Sequence, residues 1–235
     1  MKKRFFVIQS KGGVGKSYLV KLLTLRATMN GSLTHFIDLD NASATLTKFS
    51  EGINSKKGDY VKTGNFVLLG SNKKIDRSRF DSFLGEIEKL DQVVCDFGAA
   101  SSEQLLYYLQ EEKEVVNLFK SMGVHILFVV AGGGSIQECV KFFNEANEIP
   151  GLGEITSIVA NEVQGGVNGM SVQEYTDAPV QLRTLNGDST SEAQVEWEQM
   201  VSKGVVLDDI EKLSIIRRSR IKQYLSQIFI QIDKL

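Results

Sequence analysis

Short apolar runs rich in β-branched and aromatic residues recur along the chain at 5–9, 33–38, 66–69, 92–95, 124–130 and 155–160. Between them lie longer stretches, near 16–30, 77–90, 102–121 and 135–148, that read as helices. In the first of these, Leu19, Leu22, Leu23 and Arg26 fall at helical spacing, and Gly31 closes the helix. Strand-like runs alternating with helical patterns predict an α/β fold: a mostly parallel twisted sheet with helices on both faces. Two regions break the rhythm. Residues 51–65 are rich in Gly, Lys and Asn, and residues 162–190 in Gly, Asn and Thr; both read as surface loops or an insertion. A last helical stretch runs from about Asp208 to the end. The expectation is one domain over 1–235, with a loop or insertion at 162–190.

Composition narrows the classes. Hydrophobic residues at 42% and charged residues at 24% suit a globular chain with a full core. A formal charge of −2 argues against an overall basic coat, although not against a local basic face. Cys95 and Cys139 are the only cysteines, too few for a disulfide framework or a Cys/His zinc pattern. His35 and His125 sit in apolar runs and read as core or strand-edge histidines. The basic start has only four apolar residues before Gln9, too few for a signal peptide, and no stretch approaches a membrane span. A cytoplasmic, reduced protein is expected.

The chemistry concentrates at Ser10-Lys11-Gly12-Gly13-Val14-Gly15-Lys16-Ser17, directly after a strand and directly before an amphipathic helix. Glycines let the backbone curl until consecutive N–H groups point at phosphate oxygens, and the helix start adds its positive dipole end. Lys16 is placed to reach the β- and γ-phosphates, and Ser17 to offer a hydroxyl to magnesium. The pattern predicts a P-loop that binds ATP with Mg2+; Ser10 stands where a first glycine is usual. Lys11, a second lysine in the loop, reads either as a solvated charge or as a charge-stabilising group beside the γ-phosphate of its own or a neighbouring subunit.

Two further strand ends carry carboxylates. Residues 33–40 read LTHFIDLD, placing Asp38 and Asp40 on one side of an extended chain near the sheet's carboxyl end, where α/β ligands bind. The alternative is that both cap a following helix at 42–49. Residues 92–100 read QVVCDFGAA, an apolar strand ending in Asp96 with Gly98 beyond it, a Walker B pattern in which Asp96 orders magnesium waters. Cys95 beside it reads as a small buried hydrophobe.

The Lys-Gly-Gly-Val-Gly-Lys-Ser loop resembles the deviant Walker A motif of the ParA/MinD family of dimeric ATPases, which have the P-loop NTPase, Rossmann-like fold. The Asp-x-Asp pair and the Asp-x-Gly-Ala segment are similar to further motifs of that family. The resemblance implies that Lys11 reaches the phosphates of a partner subunit's ATP, so that two chains sandwich the nucleotide. It further implies that Asp40 positions or activates the attacking water and that Asp38 helps hold magnesium through water. Asn161, ending the run ITSIVAN, matches the family's adenine-reading asparagine, although strand-ending asparagines also start turns for local reasons. Motif similarity covers 5–161. Within the family, FIDLDNASATL and DFGAASSEQLLYYL look most like ParA-like proteins of conjugative plasmids, of the StbB and TraL kind.

Three jobs compete: a DNA-segregation or transfer ATPase, a MinD-like membrane-cycling ATPase, and a small-molecule P-loop enzyme or nitrogenase-iron-protein relative. Cys95 and Cys139 do not supply an iron–sulfur arrangement around Asp96 and Gly132, and the second half shows no convergent Arg or His set. The C-terminal 211–235 carries six basic residues against Glu211 and Asp233, net +4 on a chain of −2. Arg217, Arg218, Arg220 and Lys222 form one strip at i,i+3 and i,i+4 spacing, suited to phosphate contacts. Ile221, Tyr224, Leu225, Ile228 and Ile232 form a stripe that would pack on the sheet or, alternatively, lie on an anionic membrane. Lys56, Lys57, Lys62, Lys73, Lys74, Arg77 and Arg79 either extend a DNA face or are solvated. The expected partners are a second copy with ATP, non-specific DNA, and a stimulating ParB-like or centromere-binding protein.

Overall fold

The computed structural model describes residues 3–39, 45–57, 61–162, 180–183 and 192–235. Alternation along the central strand builds a two-faced core. In β1 (Lys3–Ile8), Phe5 and Val7 enter one apolar layer while Phe6 and Ile8 enter the other. The same split recurs in β4 (Gln92–Asp96), with Val94 against Val93 and Cys95, and in β5 (Val124–Ala131), with Leu127 and Val129 against Ile126 and Phe128. A strand buried on both faces reads as a continuous apolar run, as these do.

With β2 (Thr34–Asp38), β3 (Val61–Asn65), β6 (Thr156–Asn161) and β7 (Val180–Leu182), the described residues form a seven-stranded, all-parallel sheet of order β3-β2-β4-β1-β5-β6-β7. On one face lie α1 (Lys16–Met29) and α2 (Thr45–Lys57). The other face is covered by α3 (Arg77–Glu88), α4 (Ala99–Glu111), α5 (Glu114–Met122) and α6 (Ile136–Asn147). The C-terminal helices α7 (Glu192–Ser202), α8 (Leu207–Glu211) and α9 (Ile215–Ile232) return to the α1 face. Helix α1 is buried from Leu19 to Leu25 nearly all round, because sheet and C-terminal helices enclose it. The expected α/β architecture is therefore the observed one.

Several expected boundaries move. Residues 51–65 are not one loop: α2 runs to Lys57, anchored by buried Phe49 and Ile53, and β3 follows. Asn54 secures the junction, its side-chain amide donating to the Val61 carbonyl at 2.7 Å and accepting the Val61 N–H at 3.0 Å. Residues 66–69 lie beyond the sheet, since Asn65 pairs with Asp38 at its carboxyl edge. Outside the strands, Leu69 bridges Ile75. The stretch 102–121 is two helices that part at Glu112 and Lys113. The segment expected as a loop at 162–190 contains β7, which adds to β6. The rest of that segment, 163–179 and 184–190, falls outside the described residues.

Helix α9 runs parallel to α1. The Tyr224 and Tyr18 hydroxyls lie 2.9 Å apart near one end, and Arg26 Nε donates to Asp233 Oδ1 at 2.9 Å near the other. Its stripe Ile221, Tyr224, Leu225, Ile228 and Ile232 is buried in the core, so that face is not available to a membrane. Among the described residues no helix is long and apolar enough to cross a membrane.

Candidate functional site

Strand β1 delivers the chain into the glycine loop, and Gln9 fixes its exit. Fully buried, Gln9 donates through Nε2 to the carbonyls of Val129 (3.0 Å) and Cys139 (3.3 Å). Its Oε1 accepts the Ser10 N–H at 2.9 Å and the Ser10 hydroxyl at 3.3 Å. Ser10 thus turns back onto Gln9 at the position where a glycine is usual. Gly13 and Gly15 take left-handed backbone, φ 77° and 96°, which an L side chain rarely adopts. Gly15 also leads directly into α1. A Cβ there would lie 2.3 Å from Asn161 Nδ2, so the loop and β6 are in closest approach at this point.

Asn161 is buried and donates from Nδ2 to the Val14 carbonyl at 2.8 Å. The structure therefore sets it against the loop backbone, on the sheet's carboxyl edge. Lys16 is buried and folds over the loop, Nζ donating to the carbonyls of Gln9 and Lys11 at 3.1 Å each. Gly12 and Gly13 are exposed, and Ser17 lies in the first turn of α1. Backbone N–H groups at a helix start, with a lysine curled above them, form a cradle for a phosphate chain.

The carboxylates converge on this cradle through the sheet order. Because β2 and β4 are neighbours, Asp38 and Asp96 are direct register partners at the carboxyl edge, and β1 lies next to β4. Both are buried. The Leu39 N–H donates to the Asp96 carbonyl at 2.9 Å, and the Phe97 N–H to that of Val7 at 3.1 Å, so the strand ends continue toward the loop in step. Ser102 Oγ donates to the Gly98 carbonyl at 2.8 Å and accepts the Gln9 N–H at 3.2 Å, tying the turn after β4 to the loop's entrance. Asp40 lies outside the described residues. The oxygens of Ser17, Asp38 and Asp96 are hard donors suited to magnesium, which binds through one or two carboxylates plus phosphate oxygens. Among the described residues no group of three or more His, Cys, Asp or Glu side chains could hold a metal by itself.

Three groups at this site escaped sequence reading. Lys21, one turn beyond Ser17, is buried; burial lowers its pKa, and the charge of Asp96 pulls it back up. A lysine amid the apolar positions of α1 was the available signal. Trp197, fully buried, donates from Nε1 to the Tyr18 hydroxyl at 2.8 Å, next to Ser17 in sequence. Glu138, in the first turn of α6, meets Lys11 Nζ at 2.7 Å. That hydrogen bond, ahead of the plain charge attraction, raises the pKa of the Lys11 ammonium.

The basic strip is present on the exposed side of α9 but is partly answered by acids. Arg217 pairs with Glu196 at 2.9 Å and Arg218 with Glu211 at 3.3 Å, and Lys222 also pairs with Glu211. Arg220 is exposed and makes no ion pair among the described residues. In the second basic run, Lys56 pairs with Asp209 at 2.8 Å and Arg77 with Glu112, while Arg79 donates to the Leu69 carbonyl at 2.9 Å.

No family model matches the chain. Two proteins named TraL from Escherichia coli are 26% and 25% identical over 252 and 257 residues, each comparison spanning 99% of this chain and 98% of the relative. Among solved structures, a Borrelia burgdorferi chain described as a plasmid partition protein and bound to AMPPNP superposes with TM-score 0.55 at 12% identity, covering 98% of this chain and 99% of that one. The MinD cell division protein of Aquifex aeolicus gives TM-score 0.51 at 13% identity, over 95% and 97%. At such identities the structural likeness carries the fold, the P-loop α/β fold. The ParA/MinD resemblance drawn from the motifs stands, with TraL proteins as full-length relatives.

Proposed function

We propose that this chain, a ParA/MinD-type P-loop protein by motif and fold, is an ATP-driven switch that dimerises on ATP and binds DNA without regard to sequence. One observation carries the reading: a left-handed glycine loop opening α1, with Lys16 folded over it and Asp38 and Asp96 side by side at the adjoining strand ends. The whole chain, 1–235, is read as a single P-loop ATPase domain.

In this reading the loop amides of residues 12–17 cradle the phosphates. Lys16 leaves its two carbonyl acceptors for phosphate oxygens, and Ser17, Asp38 and Asp96 hold magnesium, directly or through water. The metal supplies charge neutralisation at the phosphates. Asn161 braces Val14 and, on motif alone, reads the adenine edge. Lys11 crosses to the phosphates of the second subunit, and Asp40, on motif alone, orients the attacking water. Hydrolysis then releases the dimer, slowly and under stimulation by a partner of ParB-like or centromere-binding kind, in plasmid segregation or conjugative transfer. The likeness to a plasmid partition protein supports the segregation setting.

A membrane-cycling role is the second reading, and one observation favours it: Ile215 and Ile216, at 75% and 65% exposure, sit directly before the arginines of α9. Retention of the ATP-bound chain on random duplex DNA and on anionic vesicles, measured side by side with Lys16→Ala as control, separates the two. ATP-dependent retention on DNA is expected. Retention on vesicles alone would transfer the case to the membrane reading.

A further inference from the structure

Lys11 has two possible destinations that exclude each other. In this structure its Nζ is 2.7 Å from Oε2 of Glu138 in its own chain. In the dimer proposed above, on which this inference rests, the same ammonium crosses to phosphates held by a second chain.

The backbone at Glu138 is anchored through its neighbour Cys139. Cys139 beside it is fully buried, and its carbonyl accepts from Gln9 Nε2, the residue that leads into the loop. The first turn of α6 is thereby held against the loop's entrance, with Glu138 facing Lys11. An acidic residue in a first turn is favoured by the helix dipole in any case, which explains a glutamate there but not its partner. Lys11 is the one signature lysine that the family's dimer uses in trans, and here it is paired in cis.

We propose that Glu138 is a positioning residue that retains Lys11 on its own subunit and so sets the nucleotide concentration at which two chains close on each other. The Lys11 and Glu138 side chains are 39% and 61% exposed, so water and salt weaken the pair. It acts as a bias and not as a lock: a triphosphate carries more charge and more acceptor oxygens than one carboxylate and wins Lys11 once a second subunit presents it. Exposed pairs of this kind shift an equilibrium by about three-fold each. Because closure breaks two of them, the dimer dissociation constant should respond by about ten-fold.

The test follows dimer formation by light scattering with AMPPNP as the nucleotide, alongside AMPPNP affinity read from Trp197 fluorescence. Glu138→Gln should tighten the dimer by about ten-fold at low salt with AMPPNP affinity of the monomer unchanged. Glu138→Asp, which keeps the charge, should remain near wild type. Raising the salt should close the gap between Glu138→Gln and wild type, a response that a packing defect in α6 would not show. Equal dimerisation of wild type and Glu138→Gln, or weaker dimerisation of the variant, overturns the role of Glu138 alone. If neither chain dimerises while both bind AMPPNP, the dimer itself is wrong and this inference goes with it.

Discussion

Gly15 meets two constraints at once: its φ of 96° excludes a comfortable Cβ, and a Cβ would also press on Asn161 Nδ2 at 2.3 Å. Gly15→Ala should therefore cost about 2–4 kcal/mol, the strain of a non-glycine residue in that region plus a disturbed buried hydrogen bond. Adding Asn161→Ala removes the collision but not the strain, so the double variant should recover part of the lost stability in urea unfolding. Full recovery would mean that the backbone tolerates alanine; none would mean that Asn161 simply moves aside. A fluorescent ATP analogue should show both variants binding poorly, because the loop amides are displaced. At this scale the sequence was most legible where chemistry is local. Ser10 to Ser17 announce themselves because a phosphate cradle needs consecutive residues. Gln9 and Glu138 were silent because each acts through a neighbour distant in sequence, and a lone Gln or Glu carries no spacing to read; Lys21 was marked only by its place among the apolar positions of α1.

Arg4 shows how elements are joined at the opposite end of the sheet. It is 2% exposed, and its guanidinium donates to the carbonyls of Ile87 (2.9 Å), Glu88 (2.8 Å), Leu90 (2.8 Å) and Met122. These carbonyls lie at or just past the ends of α3 and α5, where a helix runs out of donors for its last carbonyls, and a cation there also suits the helix dipoles. Arg4→Met should destabilise the fold by about 3–5 kcal/mol, since it strands buried acceptors. Arg4→Lys, with a point charge in place of a fork, should fall between. Thermal unfolding would register Arg4→Met as a drop of roughly 10 °C; a change within 2 °C would remove Arg4 from this bracing role. In the sequence Arg4 is one of three basic residues at the start of the chain, with nothing to mark it as buried. Strand β3 was hidden for the converse reason: an edge strand with one buried residue in five has no apolar alternation to detect. The strong strands, α3 and α6 were legible because burial imposed their pattern, whereas α1, buried nearly all round, was legible from the glycine loop that opens it and Gly31 that closes it.

The parallel run of α9 along α1 decides where the basic strip sits on the molecule. Tyr224 is level with Tyr18, near the start of α1, so Ile215 to Lys222 project past it by up to about 13 Å, at the nucleotide end of the sheet. Two chains closing over nucleotide at that end would bring two strips together, and ATP would then raise DNA affinity by pairing sites that are weak alone. With about three phosphates neutralised per subunit, the log–log salt slope of the dimer is expected on the order of −5. Changing Arg217 and Arg218 together to Ala should bring it to about −2, leaving ATP affinity unaltered because these side chains bond to Glu196 and Glu211 and not to residues of the loop. The acids refine the expectation. Glu211 answers both Arg218 and Lys222, so Glu211→Gln should strengthen DNA binding, whereas Arg220→Ala should weaken it more than either partnered arginine does alone. These measurements need the ATP-bound chain on random-sequence duplexes across a salt series. A slope indifferent to Arg217 and Arg218, or Glu211→Gln binding no better than wild type, would move DNA recognition to a different surface.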